Sequence, residues 1–256
     1  MSAWSPAQYA KFEDERNRPA IELLARVSLD RPGRVVDLGC GPGNSTELLV
    51  ARFPGAEVVG LDNSPEMLAA ARKRLPRTRF IEADAATWTP ADPVDLLFSN
   101  ATFQWIPDHR AVLGRLAAAL PPGGALAMQV PDNLGEPTHM LMREVALKGP
   151  WKAKFAARIE REEIPPPTAY YDLLKPLSAR VDIWSTIYNH VLAGPQAIVD
   201  WVLGTGLRPY LARLDEGERS AFLEQYVAGI GEAYPPRSDG KVLLRFPRLF
   251  VVAFRQ

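Results

Sequence analysis

Between residues 34 and 131, short apolar runs alternate with amphipathic stretches, and this alternation restricts the fold more than any other feature of the chain. The runs are "RVVDLG" from Arg34, "AEVVGLD" from Ala56, "TRFIEAD" from Thr78, "VDLLFSNA" from Val94 and "ALAMQVP" from Ala125. Each is too short for a helix and closes on a glycine, an acid or a turn residue, as buried strands do. Between them, "NSTELLVARFP" opens on Asn44 and Ser45 as capping-type residues and stops at Pro54. "SPEMLAAARKRLP" carries Ser64 as a cap, Pro65 at the first helical position, Glu66 in the first turn and basic residues in the last. "DHRAVLGRLAAALPPGG" ends on a Pro-Gly stop. Strands separated by helices imply right-handed crossovers and a parallel sheet covered on both faces.

After Pro131 the rhythm changes. Helical stretches and the stiff loop "EEIPPPTAYYD" lead into "RVDIWSTIYNHVL", in which Val181, Ile183, Ser185 and Ile187 alternate against Asp182, Trp184, Thr186 and Tyr188. Two helical segments follow, and "VLLRFPRLFVVAFRQ" closes the chain as a terminal strand. Two late strands joined by a helical excursion suit an antiparallel pair at the sheet edge. The expected fold is α/β: a Rossmann-like, doubly wound, mostly parallel sheet with an antiparallel C-terminal edge strand and a helical lid or insertion. We expect a single domain over residues 1–256. Its cofactor-binding core lies at 30–131, a helical segment at 1–29, and helical substrate-side lid segments at 132–180 and 192–240.

Bulk properties exclude several functions. Lys+Arg and Asp+Glu each number 30, so the formal net charge is zero and no basic stripe points to nucleic acid. A single cysteine, Cys40, excludes an intrachain disulfide and a cysteine-rich zinc site. His109, His139 and His190 are too scattered to suggest a metal, and none is expected. The amino terminus has no apolar h-region, and no run approaches the ~18 apolar residues of a membrane span. A cytoplasmic protein acting on a small molecule is expected, with its oligomeric state left open.

The first strand runs into "VVDLGCGPGNS", with Gly39, Gly41 and Gly43 at every second position and Asp37 just ahead of them. Glycines here either permit positive φ or let another molecule approach the main chain. They stand at the carboxyl end of a strand, where open α/β sheets bind ligands. A dinucleotide fingerprint is G-x-G-x-x-G and a P-loop carries a Lys-Ser/Thr pair; this loop is G-x-G-x-G and has neither. An aspartate facing the pocket repels phosphate and attracts ammonium. The loop suits a phosphate-free ligand with a positive end. Cys40, with no base near it in sequence, reads as a small packed residue.

These residues resemble the first motif of the class I S-adenosylmethionine-dependent methyltransferases. Four further segments stand where that family has its own: "VVGLDNSPEML", "FIEADAATW", "DLLFSNATFQW" and "LPPGGALAM". The resemblance implies S-adenosyl-L-methionine as cofactor. It places Asp37, the glycines and Asn44 at the amino-acid end, and Asp62 on the ribose hydroxyls with Asn63 and Met67 beside it. Asp84 and Ala85 take the adenine, and Asn100 and Ala101 lie by the methyl-donating centre. "MSAWSPAQYAKFEDERNRPAIELLARV", "SNATFQWIPDH" and "LAMQVPDN" are further similar to trans-aconitate 2-methyltransferases, which form a monomethyl ester of a tricarboxylate. That likeness implies that Tyr9 closes over the cofactor and that Trp105 lines the transfer centre.

The sequence shows no obvious general base near the reactive end. His109 reads as exposed or capping at a helix start, and His190 as facing either pocket or solvent. In the second half, Tyr170, Tyr171, Tyr188, Trp201, Arg208 and Tyr210 are aromatic and basic residues of lid-like segments that together favour an anionic substrate. An ionised carboxylate acceptor needs no base, whereas a phenol usually does. The acceptor side is assigned to Tyr9, Trp105, Tyr170, Arg208 and Tyr210. Trp105 and Tyr9 act by positioning, and no residue serves as acid or base. The expected activity is carboxyl O-methylation of a small polycarboxylate. Alternatives are a phenol, quinone-precursor or amine acceptor, a nicotinamide-dependent oxidoreductase, and a non-enzymatic cofactor-binding module.

Overall fold

The computed structural model describes residues 13–156 and 161–256. In chain order its main elements are α1 (Glu13–Ala25), β1 (Arg34–Leu38), α2 (Asn44–Arg52), β2 (Glu57–Asp62), α3 (Pro65–Arg74), β3 (Arg79–Glu82) and β4 (Leu96–Asn100). Next come α4 (His109–Ala118), β5 (Ala125–Pro131), α5 (Pro137–Lys148), α6 (Pro167–Leu174) and β6 (Ser178–Leu192). The chain ends with α7 (Pro195–Leu203), α8 (Arg208–Leu211), α9 (Glu216–Ala233) and β7 (Val242–Arg255).

The chain divides into two compact units. A sheet unit runs up to Pro131 and takes in Ile164–Thr186 and Arg248–Gln256; a helical unit holds Asp132–Glu163 and Ile187–Pro247. The stretch expected to act as one lid segment at 132–180 is thus cut at Glu163/Ile164, and Tyr170 and Tyr171 belong with the sheet.

The strand order is β3-β2-β1-β4-β5-β7-β6. Strands β1 to β5 pair in parallel and β7 runs antiparallel to β5, as the apolar runs and the late strands predict. The last strand of the chain is therefore inserted between β5 and β6. The order reverses between β1 and β4, which places a switch point beside the glycine loop. Val36, Leu38, Leu97, Leu126, Met128 and Val251 pack with Leu113 and Leu116 of α4 in one buried cluster. Burying each such side chain contributes roughly 1.5–3 kcal/mol.

Local signals fix the helix starts. Ser64 accepts the Met67 N–H, Pro65 opens α3, and Arg72, Lys73 and Arg74 close it, as expected. Helix α2 departs from expectation. Its N-cap is Gly43 in the left-handed region, and Ser45 is already helical because its hydroxyl is drawn to Asp37. In β6 the buried side chains at the far end are Tyr188, His190 and Leu192, whereas Ile187 is exposed.

Within the helical unit, α9 opens with a capping box in which Asp215 and Glu218 each accept the other's backbone N–H at 2.9 Å. Trp151, Phe155, Tyr210 and Phe222 form an aromatic nucleus. His190 stacks on Trp201 and meets Phe246 edge-on, so it packs in this unit's interior. Among the described residues no helix is long and apolar enough to cross a membrane, and no three His, Cys, Asp or Glu side chains gather as a metal site.

Candidate functional site at the carboxyl rim of the sheet

The tips of β1, β2 and β3 are neighbours. Leu38 pairs with Leu61, and Asp62 pairs with Glu82, two residues ahead of Asp84. Adjacent strands lie about 4.8 Å apart, so three tips span roughly 10 Å of rim. Asp37, Asp62 and Asp84 therefore stand at the tips of three neighbouring strands along one edge.

Asp37 is 0% exposed. Its Oδ2 accepts the hydroxyls of Ser45 at 2.7 Å and Thr46 at 2.6 Å, both in the first turn of α2. Its Oδ1 is buried and has no hydrogen-bond partner among the described residues. Burial pushes the carboxyl up to about 6, with the two hydroxyls opposing the rise. A buried acceptor left open carries a desolvation penalty that a cationic donor would relieve. A ligand ammonium fits this atom.

The glycines answer two different needs. Gly39 has φ +71°, and a Cβ there would lie 2.2 Å from the Thr102 hydroxyl oxygen. It is glycine because the segment after β4 packs onto it. Gly41 also has positive φ, at +55°, yet a Cβ there would meet no atom within 4 Å. Its open side is where a ligand can reach the main chain. Gly43, at φ +93°, caps α2. The Gly41 N–H donates to Asp62 Oδ2 at 2.8 Å, and the Ser64 N–H to Asp62 Oδ1 at 2.9 Å. Asp62 thus pins the glycine loop to the entry of α3. A carboxylate oxygen has two acceptor positions, so each still offers one.

Asp84 is exposed and accepts the Ala86 N–H on Oδ1 at 2.9 Å, while Ala85 is buried behind it. Met67 is buried, and Asn63 and Asn44 stand at the starts of α3 and α2. Burial also raises the Cys40 thiol, with Asp37 and Asp62 adding to the effect. A thiol held protonated is a packed side chain and no nucleophile.

At the tip of β4 the backbone is strained. Ala101 has φ +59°, a left-handed conformation costing roughly 1–2 kcal/mol for a residue with a Cβ. It is held by its N–H on Gln129 O at 3.0 Å and by the Gln104 amide on its carbonyl at 2.6 Å. Gln104 itself is buried with Oε1 unpartnered among the described residues. Trp105 follows in a 3-10 turn and is 44% exposed, unusual for so large an apolar side chain. The strained Ala101 and the partly exposed Trp105 thus follow one another at the tip of β4.

Several expectations need correction. Tyr170 is 0% exposed, and its hydroxyl shares a 2.7 Å hydrogen bond with His109. Helix α6 turns Tyr170 inward with Leu174 and leaves Tyr171 outside. His109 is buried, being held by Tyr170. Tyr210 lies in the aromatic nucleus of the helical unit at 3% exposure, so it serves packing. Arg208 is half-buried on α8 in the same unit. Tyr9 lies outside the described residues. The sequence reading passed over Gln129 and Arg248, which join Asn100 in a buried polar chain. Their signal was a polar and a charged residue set into otherwise apolar strands.

A methyltransferase-domain family model matches residues 35–124. Over its whole length the chain is 57% identical to the trans-aconitate 2-methyltransferase of Rhodopseudomonas palustris strain HaA2, covering 100% of both. It is 59% identical to that of Methylobacterium radiotolerans, over 99% of this chain and 98% of the relative. Among solved structures, the YcgJ protein of Bacillus subtilis aligns with a TM-score of 0.60 at 14% identity, covering 93% of this chain and 99% of that one. Phosphoethanolamine N-methyltransferase 2 of Haemonchus contortus, in complex with S-adenosylhomocysteine, aligns at 0.55 and 17% identity over 93% of this chain and 53% of its own. At such identities the two structures share the fold.

Proposed function

The chain belongs to the trans-aconitate 2-methyltransferase family, and we propose that it transfers a methyl group from S-adenosylmethionine to one carboxylate of trans-aconitate, forming a monomethyl ester. For the cofactor, the observation that carries the reading is the buried Asp37 Oδ1, without a partner among the described residues, in the strand that leads into the loop where Gly41 is open. For the acceptor, it is the identity maintained over the whole chain.

When bound, the cofactor supplies an electrophilic methyl on a sulfonium. Held at Asp37, the glycine loop and Asp62, it would let a carboxylate oxygen take that methyl, leaving a neutral thioether and one acceptor charge fewer. Carboxylates of this class are ionised at neutral pH, so no residue has to take a proton. The residues are left with alignment and exclusion of water, which together account for most of such a rate.

In this reading Asp37 takes the ammonium, and the Gly39–Gly43 loop and Asn44 receive the amino-acid end. Asp62 spends its remaining acceptor positions on the ribose hydroxyls, with Asn63 and Met67 alongside. Asp84 Oδ2 and the Ala85 backbone serve the adenine. Asn100, Ala101 and Trp105 line the transfer centre. Arg208 and Tyr9 remain assigned to the acceptor side, and Tyr170 and Tyr210 are withdrawn from it.

The test is incubation with a methyl-labelled donor and a panel of di- and tricarboxylates, phenols and amines. A base-labile labelled product from trans-aconitate is expected. Label in a base-stable product, or on no polycarboxylate, overturns the reading.

A further inference from the structure

Arg248 lies on β7 opposite Pro131, the last residue of β5, and is 5% exposed. Its Nη1 donates to Gln129 Oε1 at 2.9 Å. Gln129, 0% exposed, donates through Nε2 to Asn100 Oδ1, and the two are paired across β4 and β5. All three belong to the sheet unit.

A guanidinium has N–H groups and no acceptor. Gln129 is therefore obliged to turn its oxygen toward Arg248 and its NH2 the other way. Asn100 must then meet that NH2 with its own oxygen. One permanent charge so settles the orientation of two amides, each of which could otherwise sit either way round. The outcome is that the half-buried Asn100 presents its Nδ2–H2 at the tip of β4, and no acceptor takes these hydrogens among the described residues. Hydrogen bonds in such a chain also polarise one another, which strengthens the terminal donor. The rim then carries opposite polarity on adjacent strands: an open acceptor on Asp37 in β1 and an oriented donor on Asn100 in β4.

Resting on the function proposed above, we infer that Arg248 and Gln129 are positioning residues that hold the Asn100 amide with its N–H groups toward the acceptor, where they bind a carboxylate oxygen and select an anionic substrate.

Gln129→Glu tests this. The glutamate keeps a partner for Arg248, yet it has no N–H to give, so Asn100 turns over and presents its oxygen. The expected result is a KM for trans-aconitate raised at least tenfold, with S-adenosylhomocysteine affinity within twofold of wild type and no loss in Tm. An unchanged KM, or a cofactor affinity that falls alongside it, overturns the relay. Asn100→Asp removes the same N–H groups without touching Gln129 or Arg248, and keeps the test open should Gln129→Glu fold poorly. It is expected to raise KM likewise, and an unchanged KM again refutes the inference. Arg248→Lys, still a donor-only cation, is expected to stay closer to wild type than Arg248→Met; equal effects of the two count against the relay. Titration of trans-aconitate into the S-adenosylhomocysteine complex separates the two proposals. If wild type binds the acid without methylating it, the functional reading falls and the relay is judged on Kd alone; if wild type does not bind it, both fall.

Discussion

Replacing Asp37 by asparagine sets the stability of the free protein against its affinity for cofactor. Burial raises this carboxyl from an ordinary 3.8 to about 6. Each pKa unit is worth about 1.4 kcal/mol, so the ionised side chain destabilises the cofactor-free fold by about 3 kcal/mol at neutral pH. The sign follows from proton binding. Between pH 3.8 and about 6 the folded chain holds a proton that the unfolded chain has released, so this group's contribution falls as pH rises through that window. Roughly 1.4 kcal/mol of the change lies between about pH 5 and pH 8. The amide of Asp37→Asn does not titrate, whereas the other carboxyls are common to both proteins and cancel in the difference. Urea unfolding of the cofactor-free proteins is expected to show the variant gaining on wild type by that amount from about pH 5 to pH 8. Calorimetry with S-adenosylhomocysteine is expected to show the variant losing about 2–3 kcal/mol, roughly 30- to 150-fold. A stability difference flat with pH would refute the buried-charge argument. Undiminished binding would refute the assignment of the ammonium to Asp37.

In wild type, cofactor affinity should weaken as pH drops below about 6, approaching roughly tenfold per pH unit, because a proton competes for the Asp37 oxygen; an affinity constant down to about pH 5 contradicts this. Asp62→Ala should lower cofactor affinity by about 1.5–3 kcal/mol in calorimetry, through lost charged hydrogen bonds and a freed Gly41 loop. Gly41→Ala should cost the free protein only about 1–2 kcal/mol, for its left-handed backbone, yet block cofactor binding more than tenfold. Gly39→Ala should cost about 2–4 kcal/mol of stability, because overpacking against Thr102 adds to the backbone term. Equal losses in the two glycine variants, compared by thermal unfolding, would deny them separate roles. Trp105→Ala should cost the free protein about 1–3 kcal/mol, for the covered half of the ring, while lowering kcat/KM for the acceptor far more than cofactor affinity.

The parallel sheet and its rim were readable from the sequence because both depend on short-range signals. The apolar runs that end at Asp37 and Asp62 are punctuated within two or three residues by Gly39 and by the helix start at Pro65, and the run that ends at Asp84 gives way to a turn. What could not be read depends on partners distant in sequence. His109 is buried because Tyr170, 61 residues away, supplies its hydrogen bond. Gln129 and Arg248, 119 residues apart, make sense only once β7 is seen beside β5. Tyr170 is a different kind of miss. Its helical spacing to Leu174 already indicated an inward face, and the local aromatic content of "TAYYD" outweighed that periodicity.

Insertion of β7 between β5 and β6 has a consequence for biosynthesis. Chains begin to assemble as they leave the ribosome, from the amino terminus onward. The fifteen-residue strand β6 is synthesised well before the residues that will separate it from β5, so the growing sheet cannot close on β6 until β7 has emerged. A message broken off just ahead of Arg248 would leave out every residue of β7 that pairs with β5, removing a strand from within the sheet instead of trimming its edge. The cationic anchor of the amide relay would be lost in the same stroke, so a chain cut there forfeits its framework and its polar switch together.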